Sequence, residues 1–317
     1  MSLKKLSVLV LPFLAVSACA QHNDMPQTAA VCSVKSGAAP QGQLRPERIQ
    51  IANNAAVGLY EGPVWKDGVL YFSHFLFTDG FPSKVMAYDG DTLKVAIDDS
   101  GSNGLALDQT GALIAGTHKY KAVSRLDVGS GERTALAEEF AGNVFNSPND
   151  LTVSRAGTLY FTDPDFQTRA APGGQPVTGV YEVSDGQVRL IDKTIANPNG
   201  ISLSPDEATL YVAGGGNHGY VRAYDLTTDF PYVQSQFLAP VTVPDGMAVD
   251  CMGNVYVTEH TTRRLRVISP EGEEIASADF DANVTNAAFG GEDMKTLFIT
   301  GKGSLWKIDM DIAGMPY

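Results

Sequence analysis

The chain has 317 residues, of which 44% are hydrophobic, so it is long enough to bury a large core in one or two domains. Its formal net charge of −13 at pH 7 makes nucleic acid and anionic membrane surfaces unfavourable partners for the folded body, because like charges repel. The same acidic balance is compatible with a divalent cation held where carboxylate and amide oxygens converge.

The N-terminus has the pattern of a bacterial export signal. Two lysines precede an apolar run that is too short to span a bilayer as a permanent helix. The segment Val16-Ser17-Ala18-Cys19 resembles a lipobox, in which the cysteine becomes the lipidated first residue, and ordinary signal cleavage is the alternative. We therefore expect a signal peptide over residues 1–18, export to the periplasm and a lipid anchor at Cys19.

Residues 19–44 are polar and lack periodicity, which favours a tether between the anchor and the folded body. If lipid occupies Cys19, two further cysteines remain, Cys32 and Cys251. An oxidising compartment would permit a disulfide between them. Two cysteines 219 positions apart are a weak signal, so the sequence leaves this pairing open.

From residue 45 onward, short apolar or alternating runs are separated by Gly, Asp, Pro and Asn turns, which is typical of an all-β chain. One strand pattern recurs at spacings of 43, 46, 51, 45 and 42 residues, and its six copies begin at Leu70, Leu113, Leu159, Leu210, Val255 and Leu297. This spacing is typical of a four-stranded propeller blade. The sequence predicts a six-bladed β-propeller over residues 45–317.

The last repeat ends after its third strand, and an additional strand pattern lies upstream, around residues 47–51. We expect this N-terminal strand to complete the last blade, because closing the ring leaves no open sheet edge. A Gly- and Pro-rich insertion at 167–178 lengthens the third repeat. It is interpreted either as a lid over one face or as an ordinary surface loop.

The residue just before the first strand of each repeat always carries a side-chain oxygen; the six are Glu61, Asn103, Asn149, Asn199, Asp245 and Asn286. If that strand is innermost, these side chains converge at the tunnel mouth. Ca²⁺ accepts about six to eight such oxygens, whereas zinc or copper would recruit His or Cys. One Asn or Asp alone would indicate only a turn. Glu61, a poor turn former in the same register, favours a cation-binding ring.

Five motifs occur together in one order: Glu61-Gly62-Pro63-Val64-Trp65, Asn146-Ser147-Pro148-Asn149-Asp150, Phe161-Thr162-Asp163-Pro164, Pro198-Asn199-Gly200-Ile201 and Pro244-Asp245-Gly246-Met247. With them, residues 45–310 resemble the gluconolactonase/senescence-marker-protein-30 family. The resemblance implies a six-bladed propeller that hydrolyses a lactone or related ester, a sugar lactone first of all. It also implies one catalytic divalent ion, Ca²⁺ or another, at the top of the tunnel.

The resemblance assigns roles to particular residues. It implies that Glu61, Asn199 and Asp245 ligate the ion, and that Asn149 is a further ligand or a substrate contact. Asp245 is the residue expected to act as general base for the attacking water. Asn103 and Asn146 are expected to contact substrate because of their register in the repeats.

His118 follows the same strand of the second repeat and is a further expected substrate contact or proton shuttle; a structural role at a strand end is the alternative. Many lactonases of the family carry a Glu-His pair near this position, whereas this chain has Gly116-Thr117-His118. That departure leaves the substrate open.

Two other functions remain compatible with the sequence. A propeller can bind a ligand or a protein without catalysis, because a fold does not fix a function. A cation at a propeller mouth can also activate water toward a phosphotriester. The complete set of Glu61, Asn149, Asn199 and Asp245 favours the hydrolase, since a pure binding module would not need Glu61.

Overall fold

The computed structural model describes residue 32 and residues 37–49 and 58–315. The predicted signal peptide and the lipid anchor at Cys19 lie outside the described residues. Within the described ranges the helices are two short 3₁₀ turns, Thr168–Ala170 and Gly216–His218. No helix in these ranges has the length and apolar character needed to cross a membrane.

Strands account for the regular structure of the described chain. Two short strands come first, β1 (Gly42–Gln43) and β2 (Glu47–Arg48). Blade one contains β3 (Leu59–Lys66), β4 (Val69–Phe75), β5 (Ser83–Tyr88) and β6 (Leu93–Ile97). Blade two contains β7 (Ser102–Leu107), β8 (Leu113–Thr117), β9 (Ala122–Leu126) and β10 (Arg133–Ala137). A small hairpin of β11 (Glu139–Phe140) and β12 (Asn143–Val144) leads to blade three, which contains β13 (Leu151–Val153), β14 (Leu159–Asp163), β15 (Gly179–Ser184) and β16 (Gln187–Asp192).

The second half of the ring repeats this plan. Blade four contains β17 (Ile201–Leu203), β18 (Thr209–Gly214), β19 (Gly219–Asp225) and β20 (Val233–Val241). Blade five contains β21 (Pro244–Val249), β22 (Val255–Glu259), β23 (Arg264–Ile268) and β24 (Glu274–Asp279). Blade six contains β25 (Val284–Gly290), β26 (Thr296–Gly301) and β27 (Ser304–Asp309). Consecutive strands of each blade are antiparallel neighbours.

The first strands of neighbouring blades contact one another in the closed cycle β3, β7, β13, β17, β21, β25 and back to β3. These strands are therefore the innermost ones and surround the central axis. The prediction of a six-bladed all-β propeller is confirmed. The repeat spacing identified it because each blade is one meander of similar length.

The N-terminal strands join the ring at two places. β2 pairs antiparallel with β27 and completes blade six, as predicted. β1 pairs in parallel with β24 and adds a fifth strand to blade five, which the sequence did not predict. A disulfide joins Cys32 to Cys251, so the described part of the expected tether is held against the body.

Aromatic side chains fill the space between blades. Phe161 stacks on Tyr181 with ring centroids 5.3 Å apart, and Phe145 meets Phe161 edge to face at 5.0 Å. All three rings are fully buried. Such pairs stabilise a core beyond the gain from apolar area alone. The apolar packing thus lies between the sheets, and polar side chains are left for the inner strands.

Candidate active site

The inner strands are irregular at the position that the repeats identified. In four blades, the register between the first and second strands shifts in a segment that contains the ring residue: Glu61, Asn103, Asp245 or Asn286. In blades three and four, Asn149 and Asn199 lie just before the inner strand begins. A β-bulge turns a side chain out of the regular alternation. Local backbone irregularity therefore allows these residues to face the tunnel.

Contacts across the tunnel show that these side chains converge. Asn286 in blade six donates its side-chain N–H to Oδ2 of Asp150, 3.1 Å away in blade three on the opposite side of the ring. Glu61 in blade one interacts electrostatically with Asp150 and with Asp245 in blade five. Carboxylates from three alternate blades therefore meet near the axis.

Each of these three carboxylates is buried and has a raised pKa. Burial raises the pKa of Glu61 well above its usual value, and the charges of Asp245 and Asp150 raise it further. Burial likewise raises the pKa of Asp150 to about 7, and it raises the pKa of Asp245. His260 lies beside Asp245 and, when protonated, offsets part of the negative charge. Three acidic side chains therefore face one histidine at this centre.

Asp150 is a site residue that the sequence reasoning missed, because the repeat register pointed to its neighbour Asn149. Its position holds Gly or Ala in the other five repeats: Gly62, Gly104, Gly200, Gly246 and Ala287. A carboxylate in a small-residue position was the signal that could have identified it.

Asp245 is held on both of its oxygens. Asn199 donates its side-chain N–H to Oδ1 at 2.7 Å, and Nδ1 of His260 lies 3.1 Å from Oδ2. The same His260 nitrogen is 2.9 Å from the carbonyl oxygen of Val284. Burial lowers the pKa of His260, but the contact with Asp245 outweighs burial, and the net pKa shift is upward. The sequence alone did not connect His260 with Asp245.

The glycines after Asn199 and Asp245 serve close packing, not a turn. A Cβ on Gly246 would lie 1.9 Å from Cγ of Asn286, and a Cβ on Gly200 would lie 2.3 Å from the carbonyl oxygen of Asp245. Gly200 donates its backbone N–H to that same oxygen at 2.9 Å. The Asn-Gly and Asp-Gly pairs thus let neighbouring inner strands approach closely enough to bring the ring residues together.

The predicted substrate contacts occupy different surroundings. Asn103 is buried in β7, and its Oδ1 is buried without a hydrogen-bond partner. Asn149 is fixed through its backbone, which accepts from Gly104 N–H and donates to the Thr162 carbonyl, each at 2.9 Å. Asn146 donates its side-chain N–H to the carbonyl of Val177 at 2.8 Å, so this amide group anchors the insertion.

His118 is buried among aromatic rings at the end of β8. Its Nε2 donates to the carbonyl oxygen of Phe81 at 2.7 Å, which leaves Nδ1 as a buried acceptor without a partner. Burial lowers the pKa of His118 to about 4, so the ring is neutral at neutral pH. These contacts fit the structural alternative raised above, and a substrate role for His118 stays a prediction.

The residues present fit a hard divalent cation. In the part of the chain that the structure describes, no group of three or more His, Cys, Asp or Glu side chains is placed to hold a metal ion. Glu61 and Asp245 supply carboxylate oxygens, Asn199 supplies an amide oxygen, and the unpartnered Oδ1 of Asn103 lies in the same register. Oxygen donors of this kind suit Ca²⁺ or Mg²⁺ better than zinc or copper. A cation would also offset the charge of the three carboxylates.

Comparisons with known proteins agree with this architecture. Residues 59–303 match the model of the SMP-30/gluconolactonase/LRE-like region. A gluconolactonase of Zymomonas mobilis is 28% identical over 285 residues, covering 78% of this chain and 77% of that protein. A 6-deoxy-6-sulfogluconolactonase of Pseudomonas putida is 30% identical over 254 residues, covering 76% and 82%. The solved structure of a gluconolactonase from Xanthomonas campestris superposes with a TM-score of 0.72 at 28% identity, covering 87% of this chain and 99% of that one.

Proposed function

Because the chain belongs to the SMP-30/gluconolactonase/LRE-like family, we propose that it is a divalent-cation-dependent hydrolase that opens lactones. The observation that carries the proposal is the convergence of Glu61, Asp150 and Asp245 near the tunnel axis, with Asn199 bonded to Asp245. The names of the relatives support a lactone as substrate, and sugar lactones are the first compounds to test. Ca²⁺ is the cation that we propose for this donor set.

Glu61, Asn199 and Asp245 would hold the cation, with Asn149 as a further ligand or a substrate contact. When bound, the cation would polarise the lactone carbonyl and stabilise the negative charge that develops on its oxygen. Without it, three buried carboxylates would remain close together, and their raised pKa values reflect the cost of that arrangement.

Asp245 is proposed as the group that moves the proton. It would accept a proton from the attacking water as the water oxygen bonds to the carbonyl carbon, and return it to the ring oxygen as the C–O bond breaks, giving a hydroxy acid. A neighbouring cation weakens a carboxylate as a base, whereas burial of Asp245 strengthens it. Asn199 and His260 fix its two oxygens, so the carboxylate is oriented before substrate arrives.

A substrate panel tests this function. Purified protein is assayed with sugar lactones, alkyl lactones, aryl esters and a phosphotriester, with EDTA and after Ca²⁺ is restored. We expect lactone opening that EDTA abolishes and Ca²⁺ recovers. Absence of turnover on every compound would favour a binding module, and turnover of the phosphotriester alone would favour the other hydrolase. Lactone opening that EDTA does not change would refute the role of the cation.

We also propose that the protein is exported to the periplasm and anchored by lipid at Cys19. The Cys32–Cys251 disulfide supports export, because such bonds persist in oxidising compartments. Globomycin, which blocks lipoprotein signal peptidase, should cause the unprocessed form to accumulate. Normal processing of a Cys19→Ala variant would contradict the lipid anchor.

A further inference from the structure

The entrance to the tunnel is formed by a defined set of loops. Each inner strand begins at the end of the blade where the second strand leads into the third, so these connections share a face with the ring residues. In blades one to three the connections cover residues 76–82, 118–121 and 164–178. In blades four to six they cover 215–218, 260–263 and 302–303, which are no longer than 118–121 in blade two.

The two halves of this face differ in polarity. The half formed by blades one to three exposes apolar side chains, which we call the apolar rim: Phe77, Val144, Phe166 and Val177. Phe77 is 63% exposed and Phe166 is 45% exposed. Tyr120 is left out of the rim because the Arg133 guanidinium lies 4.2 Å from the centre of its ring. The connections of the other half hold polar residues such as Asn217, Thr261 and Lys302.

Hydrogen bonds hold the segments that carry three of the four rim residues. Lys121 donates to the carbonyl oxygens of Asn146 and Thr168 at 2.7 and 2.9 Å. Gln175 donates to the carbonyls of Phe140 and Asn143 at 2.9 and 2.6 Å, which ties the insertion to the β11–β12 hairpin. These contacts order the part of the rim that contains Val144, Phe166 and Val177.

Phe77 belongs to an aromatic series that leads inward from the rim. Its ring meets Phe75 edge to face at 5.5 Å, and Phe75 meets His118 at 5.8 Å. Phe75 and His118 are fully buried, so Phe77 packs against a buried ring. Exposed apolar side chains on the face where the inner strands begin are the kind of surface that contacts a ligand.

We propose that the natural substrate is a lactone bearing an apolar substituent, an alkyl chain or an aryl group, that packs against the apolar rim. The inference rests on the proposed lactonase function and specifies its substrate class. A sugar lactone carries hydroxyl groups around its ring and would leave Phe77 and Phe166 in contact with water.

The test compares lactones of one ring size and increasing side chain: δ-valerolactone, δ-octalactone and δ-decalactone, with glucono-δ-lactone as the polar reference. We expect kcat/KM to rise roughly threefold for each methylene that the rim covers. In a Phe77→Ser/Phe166→Ser variant, the ratio of δ-decalactone to δ-valerolactone activity should fall at least tenfold. Val233→Ser removes a side chain that is 62% exposed on the outer strand β20 and should keep the wild-type ratio.

The results of this test distinguish a failure of the apolar subsite from a failure of the proposed lactonase activity. A flat chain-length profile, a preference for glucono-δ-lactone, or an equal loss on all lactones in the double variant would overturn the apolar subsite while leaving the lactonase intact. If no lactone is opened, calorimetry with the non-hydrolysable lactam of δ-decalactone still tests the rim, because binding should be lost in the double variant. Rim-dependent binding to neutral vesicles, or rim-dependent dimers, without a chain-length effect would assign the rim to a membrane or a second copy instead.

Discussion

Asp245 has the environment expected of a proton-transferring carboxylate, since it is buried and held by Asn199 and His260. We predict that Asp245→Asn lowers kcat at least about 100-fold, the usual range for losing a general base. The variant should unfold in EDTA at the same temperature as the wild type or higher, because one of three mutually repelling carboxylates becomes neutral. Steady-state kinetics and thermal unfolding measure both effects, and near-wild-type turnover would refute the role of Asp245.

Asp163 makes the stability of the protein depend on pH. Burial raises the pKa of Asp163 to about 7, although it accepts backbone N–H bonds from Asn146 and Ser147 at 2.8 Å each. In the unfolded chain an aspartate has a pKa of about 3.9. Between these two values the folded state binds more protons, so this group's contribution to the free energy of unfolding falls as pH rises from about 4 to about 7.

Urea unfolding at pH 5 and pH 8, with EDTA present, measures this dependence. Asp150 has a raised pKa with the same sign, so the wild type should lose stability between the two pH values through both groups. Asp163→Asn should lose less, because its side chain does not titrate. An unchanged pH dependence in the variant would contradict the account of Asp163.

At the residue scale, the repeat register gave six oxygen-bearing positions, and the family resemblance selected Glu61, Asn199 and Asp245 among them as ligands. In the structure Asn199 is hydrogen-bonded to Asp245, and Glu61 interacts electrostatically with Asp245. Their role as ligands stays a prediction. The register could not identify Asp150, whose neighbour Asn149 already filled the ring position. His260 follows β22 at the position where His118 follows β8, so the register locates it at the rim of the tunnel, but the sequence does not show that it contacts Asp245.

At the scale of elements, the N-terminal segment is attached to blade five by β1 and by the Cys32–Cys251 disulfide. We predict that Cys32→Ala/Cys251→Ala lowers the free energy of unfolding by about 2–4 kcal/mol, as is typical when a disulfide closing a long loop is removed. Denaturant unfolding measures the change, and dithiothreitol should reproduce it in the wild type but not in the double variant. Equal stability of the two proteins would contradict a structural role for the bond.

The two cysteines and the 167–178 insertion show why some elements could not be predicted. The disulfide joins residues 219 positions apart, and no repeat relates them. The insertion is anchored largely through backbone carbonyls, including those of Thr168 and Val177. Backbone acceptors leave no mark in the sequence, so these contacts could not be predicted from it, and the interpretation of the insertion as a lid or as an ordinary surface loop stays a prediction.

At the scale of the whole molecule, the ring could be predicted almost completely. Six repeats of similar length specify six blades, and the missing strand of the last repeat indicated closure by residues near Glu47, which pairs with Lys307. Closure has a functional consequence, because only a closed ring brings blades one, three and five to one axis. The parallel pairing of β1 was not predictable, since it lies outside the repeat.

The central claim is that Glu61, Asn199 and Asp245 hold one divalent cation at the centre of the ring. Calorimetric titration of Ca²⁺ into EDTA-treated, dialysed protein tests it most directly. We predict binding of one ion per chain in the wild type, loss of binding in Glu61→Gln, and unchanged binding in Glu271→Gln, which alters an exposed carboxylate between β23 and β24. Failure of the wild type to bind Ca²⁺ or Mg²⁺, or equal binding by Glu61→Gln, would contradict the claim.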